Sequence, residues 1–247
     1  MTGKFFVVGV GPGDPELMTL KALNILKKSP VWLAPKGREN GDSMALSILE
    51  RIVSREGKEV LDIHFPMKKV RKGKEDEAVL MAWQEAARAV SERLSKGKDV
   101  AFPTMGDPGI YSTGFYVCET LMDMTPGFKA TIIPGVSSIS AGAASATVPL
   151  CLGDEQMVVI PATFEDKRIK DALLTFDTIV LMKVHKVMDK VTGILDELGL
   201  IDRAILIERS SLDDERIIRD IKTASIGTIH YFSTIIVRKS SRMESGR

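Results

Sequence analysis

Cysteine is nearly absent. The 247 residues contain only Cys118 and Cys151, too few and too far apart for a disulfide framework or a zinc knuckle, and both are expected to be plain buried thiols. Histidine is scarce as well. His64, His185 and His230 show no metal-ligand spacing, so no metal is expected. No apolar run approaches the roughly 20 residues that span a bilayer. The run at 5–10 is too short for a signal-peptide core, and a cytoplasmic protein with no membrane partner is expected. Charge of one sign is missing too: 34 Lys and Arg face 33 Asp and Glu, a net charge of +1. That balance supplies no field of the kind that holds nucleic acid, and none is expected as a partner. There is no internal repeat and no low-complexity segment, and no Gly-x-x-x-x-Gly-Lys-[Ser/Thr] phosphate loop.

What is present is an alternation of short apolar runs with longer helical patterns. Strands are expected at 5–10, 31–34, 59–63, 99–103 and 129–133, and helices at 17–27, 43–54, 75–94, 110–122 and 138–147. This is the βαβ signature of a largely parallel sheet. The pattern pauses at 148–153 and resumes with strands at 156–161, 178–182, 203–207 and 231–237, the last internal, and helices at 166–174 and 186–198. The expected organisation is therefore α/β in two domains, 1–149 and 150–247.

Three motifs stand where strands give way to helices. The first, Gly9-Val10-Gly11-Pro12-Gly13-Asp14-Pro15, occupies the place of a dinucleotide fingerprint but fails it. The third glycine is replaced by Asp14, whose carboxylate would repel a pyrophosphate at a helix N-terminus. The second strand ends in Pro35-Lys36 instead of a ribose-binding acid. A plain reading of Asp14-Pro15 is an N-cap followed by proline at the first helical position. The second motif runs from Pro103 through Met105-Gly106-Asp107-Pro108-Gly109-Ile110-Tyr111 to Thr113. It repeats the cap-and-proline device at a strand's C-terminal end, the edge where open α/β sheets bind ligands. The third, Ile133-Pro134-Gly135-Val136-Ser137-Ser138, turns into a helix of small residues and is weak taken alone.

Together and in this order, the three motifs resemble the tetrapyrrole (precorrin) methylase family, and the likeness covers almost the whole chain. It continues through Pro149-Leu150, Gly153-Asp154-Glu155, Val180-Leu181-Met182-Lys183 and the closing 231–237 run. Ala34-Pro35-Lys36, Gly41-x-Ser43-x-Ala45, Tyr111-Ser112-Thr113 and Val159-Ile160-Pro161-Ala162-Thr163 are similar to the branch that methylates carbon 20 of precorrin-2 or its cobalt complex. The resemblance implies a two-domain fold with S-adenosyl-L-methionine as methyl donor in a cleft between the domains, a tetrapyrrole substrate and a homodimer. The N-terminal domain would carry the tetrapyrrole-facing loops and part of the cofactor site, and the C-terminal domain the remainder.

Carried over residue by residue, the resemblance places the cofactor against Pro12, Gly106, Asp107, Pro108, Ile110, Ser137, Ser138, Met182, Arg209 and Ser210, with Glu208 in the same segment. Asp107 would accept hydrogen bonds from the cofactor's amino-acid end. Gly11, Gly13, Asp14, Lys36 and Arg38 would face the substrate. The basic cluster Lys68, Lys69, Arg71, Lys72 and Lys74 reads either as a rim for substrate carboxylates or as a solvated loop. No catalytic base emerges, and Asp14 is the one weak candidate. Methylases acting on uroporphyrinogen carry an acid near the end of the second strand, where this chain has Pro35, which argues against that branch. Two alternatives remain: a methylase of the same family acting at another corrin position or on uroporphyrinogen III, and a catalytically silent binding protein on the same scaffold.

Overall fold

The computed structural model describes residues 3–37, 41–66, 76–226 and 229–240. Two compact units divide between Ser137 and Ser138. The first contains β1 (Phe5–Gly9), α1 (Leu20–Lys28), β2 (Val31–Lys36), α2 (Met44–Glu50), β3 (Glu59–His64), α3 (Glu77–Ser95), β4 (Val100–Thr104), α4 (Gly114–Met124) and β5 (Thr131–Ile133). Its five strands are all parallel, in the order β3-β2-β4-β1-β5. Side chains alternate along the strands, so each face has its own core. Phe5, Val7, Leu33 and Phe102 point to the face covered by α3 and α4 through Trp83, Val90, Val117 and Leu121. Val8, Trp32, Ala34 and Ala101 point to the face covered by α1 and α2 through Leu26, Ile48 and Leu49. Burial on both faces explains why β4 reads as continuously apolar, with every residue buried.

The second unit contains α5 (Ser138–Ser145), β6 (Met157–Pro161), α6 (Asp166–Thr175), β7 (Thr178–Met182), α7 (Met188–Glu197), β8 (Ala204–Glu208), β9 (Arg216–Ile218) and β10 (Ser233–Arg238). Its mixed sheet runs β6-β7-β10-β8-β9, with β10 central, as its apolar run predicts. Leu181, Leu206, Ile235 and Val237 pack with Ile169, Leu173, Val191 and Leu195 of α6 and α7. The pattern pause at 148–153 sets a boundary after residue 149, whereas the compact units separate before α5. Packing explains the placement. A Cβ on Gly142 of α5 would stand 3.1 Å from Ile207 Cδ1, and Arg219 Nη2 donates to Ala146 O at 2.7 Å.

Two helices begin later than the periodicity implies. Asp14 does cap a turn with Pro15 at its first position, but that turn is a single 3-10 turn, Pro15–Leu17. Met18 is extended, and Thr19 caps α1 afresh by accepting from Ala22 N at 3.1 Å. Asp107-Pro108 starts no helix at all. Helix α4 opens at Gly114, whose N–H is met by Ser112 Oγ at 3.1 Å. Strand β9 has no counterpart among the expected strands; three residues that include an exposed arginine carry no readable alternation.

The loop before β6 is fastened to β10 by one carboxylate. Arg238 Nη2 lies 2.8 Å from Glu155 Oε1 and Nη1 2.8 Å from Oε2, while Leu152 N donates to Oε2 at 2.8 Å. The Ser240 hydroxyl and then Arg238 hold the Glu155 carboxyl at about 2, against an ordinary 4.5. A depressed folded-state pKa gives stability that is present above about 4.5 and lost as pH falls toward about 2. Glu155→Gln is therefore expected to lower the Tm at pH 7, with the gap to the parent closing as pH falls from 4.5 toward 2. Calorimetric Tm measured between pH 7 and pH 3 checks this, and a gap independent of pH would contradict it.

Candidate functional site

Because the first sheet is parallel, the C-terminal ends of its strands share one edge, and the three sequence motifs all follow from that edge. They are locked to one another through backbone. Val10 N donates to Thr104 O at 2.9 Å and Gly106 N to Gly11 O at 2.7 Å, so Gly11 and Gly106 form a bridge beyond the strands. A Cβ on Gly9 would come 2.6 Å from Gly106 O and 2.7 Å from Gly135 N, and one on Gly135 would overlap Gly106 O. Only glycine permits this approach. Gly106 also has φ +73°, which a side chain would strain.

Asp107 completes the junction. Its Oδ1 accepts from Gly109 N at 2.7 Å and its Oδ2 from Gly135 N at 2.9 Å, so one carboxylate holds both the second and third loops. Downstream, Ser112 Oγ donates to Thr104 Oγ1 at 3.1 Å. Between these anchors Tyr111 is held at φ +54°, half exposed, its phenol pushed up by partial burial. An αL tyrosine is strained and is kept only where its surroundings over-determine it. Tyr111 enters the sequence reading only as part of the Tyr111-Ser112-Thr113 motif, and its strain escapes that reading because nothing in composition signals a positive φ outside glycine and asparagine.

Gly11, Pro12, Gly13, Asp14, Gly106, Asp107, Pro108, Ile110 and Ser137 thus lie on loops of one edge. Asp14 Oδ1 accepts from Glu16 N at 2.8 Å. Lys36 ends β2 at the same edge, with its ammonium 3.3 Å from Asp62 Oδ2, so its charge already has a carboxylate neighbour. Arg38 and the cluster Lys68, Lys69, Arg71, Lys72 and Lys74 lie outside the described residues.

Ser138, Met182, Arg209 and Ser210 belong to the second unit. Met182 ends β7, and Arg209 and Ser210 follow β8; β10 lies between them and runs antiparallel to both, so these corners share one edge of the second sheet. The backbone is unusual there. Lys183 has φ +61°, Arg209 +51° and Ser211 +57°. Buried polar atoms without a hydrogen-bond partner among the described residues gather at the same corners: His185 Nδ1, Glu208 Oε2, Arg209 Nε, Ser210 Oγ and Glu215 Oε1. Such orphans are rare, and a group of them beside strained backbone fits a polar ligand that supplies the missing bonds. Burial lowers the Lys183 ammonium below the usual lysine range. Burial first, then the Lys186 and His230 charges, lowers His185 and keeps it neutral at physiological pH. These groups suit recognition of a ligand bearing hydroxyls, amines or carboxylates. Among the described residues, nothing at either edge pairs a nucleophile with a base.

No helix among the described residues is long and apolar enough to cross a membrane. The family model for tetrapyrrole (corrin/porphyrin) methylases matches residues 4–224. The chain is similar to the cobalt-precorrin-2 C(20)-methyltransferase of Salmonella typhimurium, 36% identical over 97% of this chain and 98% of that one. It is likewise similar to the probable cobalt-precorrin-2 C(20)-methyltransferase of Methanocaldococcus jannaschii, 34% identical over 87% of this chain and 86% of that one. Its fold matches the crystal structure of uroporphyrin-III C-methyl transferase from Thermus thermophilus complexed with S-adenyl homocysteine, with a TM-score of 0.67 at 21% identity, covering 96% and 98% of the two chains.

The glycine junction makes a sharp prediction. In Gly135→Ala the new methyl meets the Gly106 carbonyl, which is backbone and cannot swing away. The variant is expected to lose about 1 to 3 kcal/mol of stability, the usual cost of overpacking a fitted site. Chemical denaturation checks this, and an unchanged midpoint would mean that the three loops are not held together as described.

Proposed function

Because the chain belongs to the tetrapyrrole (corrin/porphyrin) methylases, we propose that it transfers a methyl group from S-adenosyl-L-methionine to carbon 20 of precorrin-2 or cobalt-precorrin-2 in cobalamin biosynthesis. The observation that carries this reading is the end-to-end likeness to relatives named for that reaction, 36% identical over 97% of the chain in one case. The proposal includes the family's cytoplasmic, homodimeric form.

The orphaned Ser210 Oγ and Arg209 Nε fit a cofactor rich in polar groups, since each needs a partner that the described residues do not provide. In the proposed arrangement Ser138, Met182, Arg209 and Ser210 hold it on the second unit. Pro12, Gly106, Asp107, Pro108, Ile110 and Ser137 do so on the first. Both Asp107 oxygens already accept backbone N–H bonds. Its part is therefore to set the loop's shape, with spare lone pairs for the ligand. Gly11, Gly13, Asp14, Lys36 and Arg38 face the tetrapyrrole. Lys36, beside Asp62, would exchange that partner for a substrate carboxylate.

When bound, the cofactor supplies a methyl group already activated by a sulfonium. What remains for the chain is alignment and exclusion of water. Holding two reactants in line is worth roughly 7 to 11 kcal/mol, and rigid backbone loops such as the Gly9, Gly106 and Gly135 junction supply that constraint without a titrating side chain. A proton must leave the methylated carbon, and Asp14 is the candidate acceptor on the substrate-facing loop.

Incubation with isotopically labelled cofactor and either metal-free or cobalt-loaded precorrin-2, followed by carbon NMR, is expected to place the new methyl on carbon 20. A label at another ring carbon would move the chain to another branch of the family, and no label on either ring would remove the proposal. Asparagine at position 14 keeps the acceptor oxygen that meets Glu16 N, so Asp14→Asn should fold. If alignment dominates, its turnover stays within about a hundredfold of the parent, below the roughly 10⁴ upper range of general base catalysis. A larger loss with cofactor affinity intact would make Asp14 the proton acceptor.

A further inference from the structure

Glu208 is the last residue of β8 and is 1% exposed. A carboxylate so buried persists only if partners replace its water. Its Oε1 accepts the backbone N–H of His230 at 2.7 Å. Arg216, opposite it on β9, brings Nη1 to 3.0 Å from Oε2, but off hydrogen-bond geometry, so that contact is Coulombic and Oε2 keeps its lone pairs. The bond to His230 is reciprocated: Arg209 N donates to Phe232 O at 2.7 Å. Residues 208–209 and 230–232 are therefore stitched together by a bond in each direction.

The 230–232 segment is itself tied by hydrogen bonds and ring contacts. Phe232 N donates to His230 Nδ1 at 3.2 Å, and Ser233 Oγ donates to His230 O. The Tyr231 ring sits 5.0 Å from that of His185 and 5.2 Å from that of Phe232, both edge to face. His185 lies two residues after Lys183, at the corner that ends β7. Glu208 thus reaches, through His230 and Tyr231, from the strained Arg209–Ser211 corner to the strained Lys183 corner on the other side of β10.

We infer that Glu208 is a positioning residue for cofactor binding, its buried carboxylate fixing the 230–232 segment so that the Met182–Lys183 and Arg209–Ser210 corners keep the geometry that receives the ligand. The inference rests on the reading of those corners as cofactor contacts. Sequence places Glu208 in the cofactor-binding segment itself. The geometry gives it a different part, since the one oxygen with a hydrogen bond faces a backbone amide.

The probe is S-adenosylhomocysteine, titrated calorimetrically into the full chain well below each variant's Tm. No binding to the parent would defeat the proposed function itself. Given binding, Glu208→Ala is expected to weaken affinity about 10- to 100-fold, the range seen when a supporting partner behind a ligating group is removed. Glu208→Gln, which keeps a carbonyl oxygen for the His230 amide, should restore affinity close to the parent's. Glu155→Gln is the control for general destabilisation, because Arg238 holds Glu155 at the far end of β10; it should lower the Tm and leave affinity alone. Unchanged affinity in Glu208→Ala, glutamine as poor as alanine, or an equal loss in the Glu155 control would each overturn the inference. If Glu208→Ala does not fold, hydrogen exchange on the parent decides. The His230 and Arg209 amides should gain protection on adding S-adenosylhomocysteine, and no gain there would also overturn it.

Discussion

Three chain segments meet at the C-terminal edge of the first sheet, and their meeting is possible only because nothing but hydrogen projects from Gly9 and Gly135 where the Gly106 carbonyl comes in. That steric constraint fixes much else. It sets how β1, β4 and β5 hand the chain to their loops, and it brings Gly135 N within reach of Asp107. The Asp107 carboxylate then turns close approach into a fixed shape, because it accepts from the second and third loops together. A charge-assisted bond to a backbone amide is stronger than a neutral one and has no rotamer to lose on the donor side. Tyr111 and Ser112 follow as dependents: the strained φ of Tyr111 is sustainable because the chain is pinned at Asp107 before it and at Thr104 through Ser112 after it.

The second unit solves a similar problem by opposite means. Its corners carry side chains at positive φ, at Lys183, Arg209 and Ser211, where the junction of the first unit has Gly11 and Gly106 and, beyond it, Tyr111. Strain of that kind needs compensation from outside the corner, and Glu208 with the 230–232 segment provides it through one side-chain and one backbone hydrogen bond and through edge-to-face rings. Unpaired buried atoms remain at Ser210, Arg209 and His185. Among the described residues these unmatched atoms gather at one edge, and such orphans are rare in folded proteins.

Much of this was legible in the sequence. The strands announced themselves because sheet positions buried on one or both faces leave apolar runs, and β10 read as internal for that reason. The three glycine motifs pointed to the edge where the loops meet, since strand-to-loop glycines in α/β chains imply close backbone approach. The errors share a physical cause. Asp14-Pro15 and Asp107-Pro108 both look like helix starts because an acid before proline is good cap chemistry, and the first does cap, but only a single 3-10 turn. In the second the same carboxylate is bound to Gly135, 28 residues away in sequence, a partner that no local pattern reveals. The domain boundary moved for a like reason, because α5 is joined to the second unit by Gly142 and Ala146, contacts made in space rather than along the chain.

Among the described residues neither edge presents a nucleophile beside a base, and the physical demands of methyl transfer account for that. Where the leaving group departs as a neutral thioether, little is gained by protonating it, and the barrier is lowered chiefly by orientation. Orientation is best supplied by groups that cannot rotate or titrate. Backbone amides and carbonyls held by glycine contacts meet that requirement on the first unit. On the second, Glu208 faces an amide, and burial lowers the pKa values of both His185 and Lys183. Asp107 and Asp14 both accept backbone N–H bonds. A site built this way tolerates changes in protonation and is intolerant of changes in shape, so selectivity among similar rings has to reside in the loops that follow the strands.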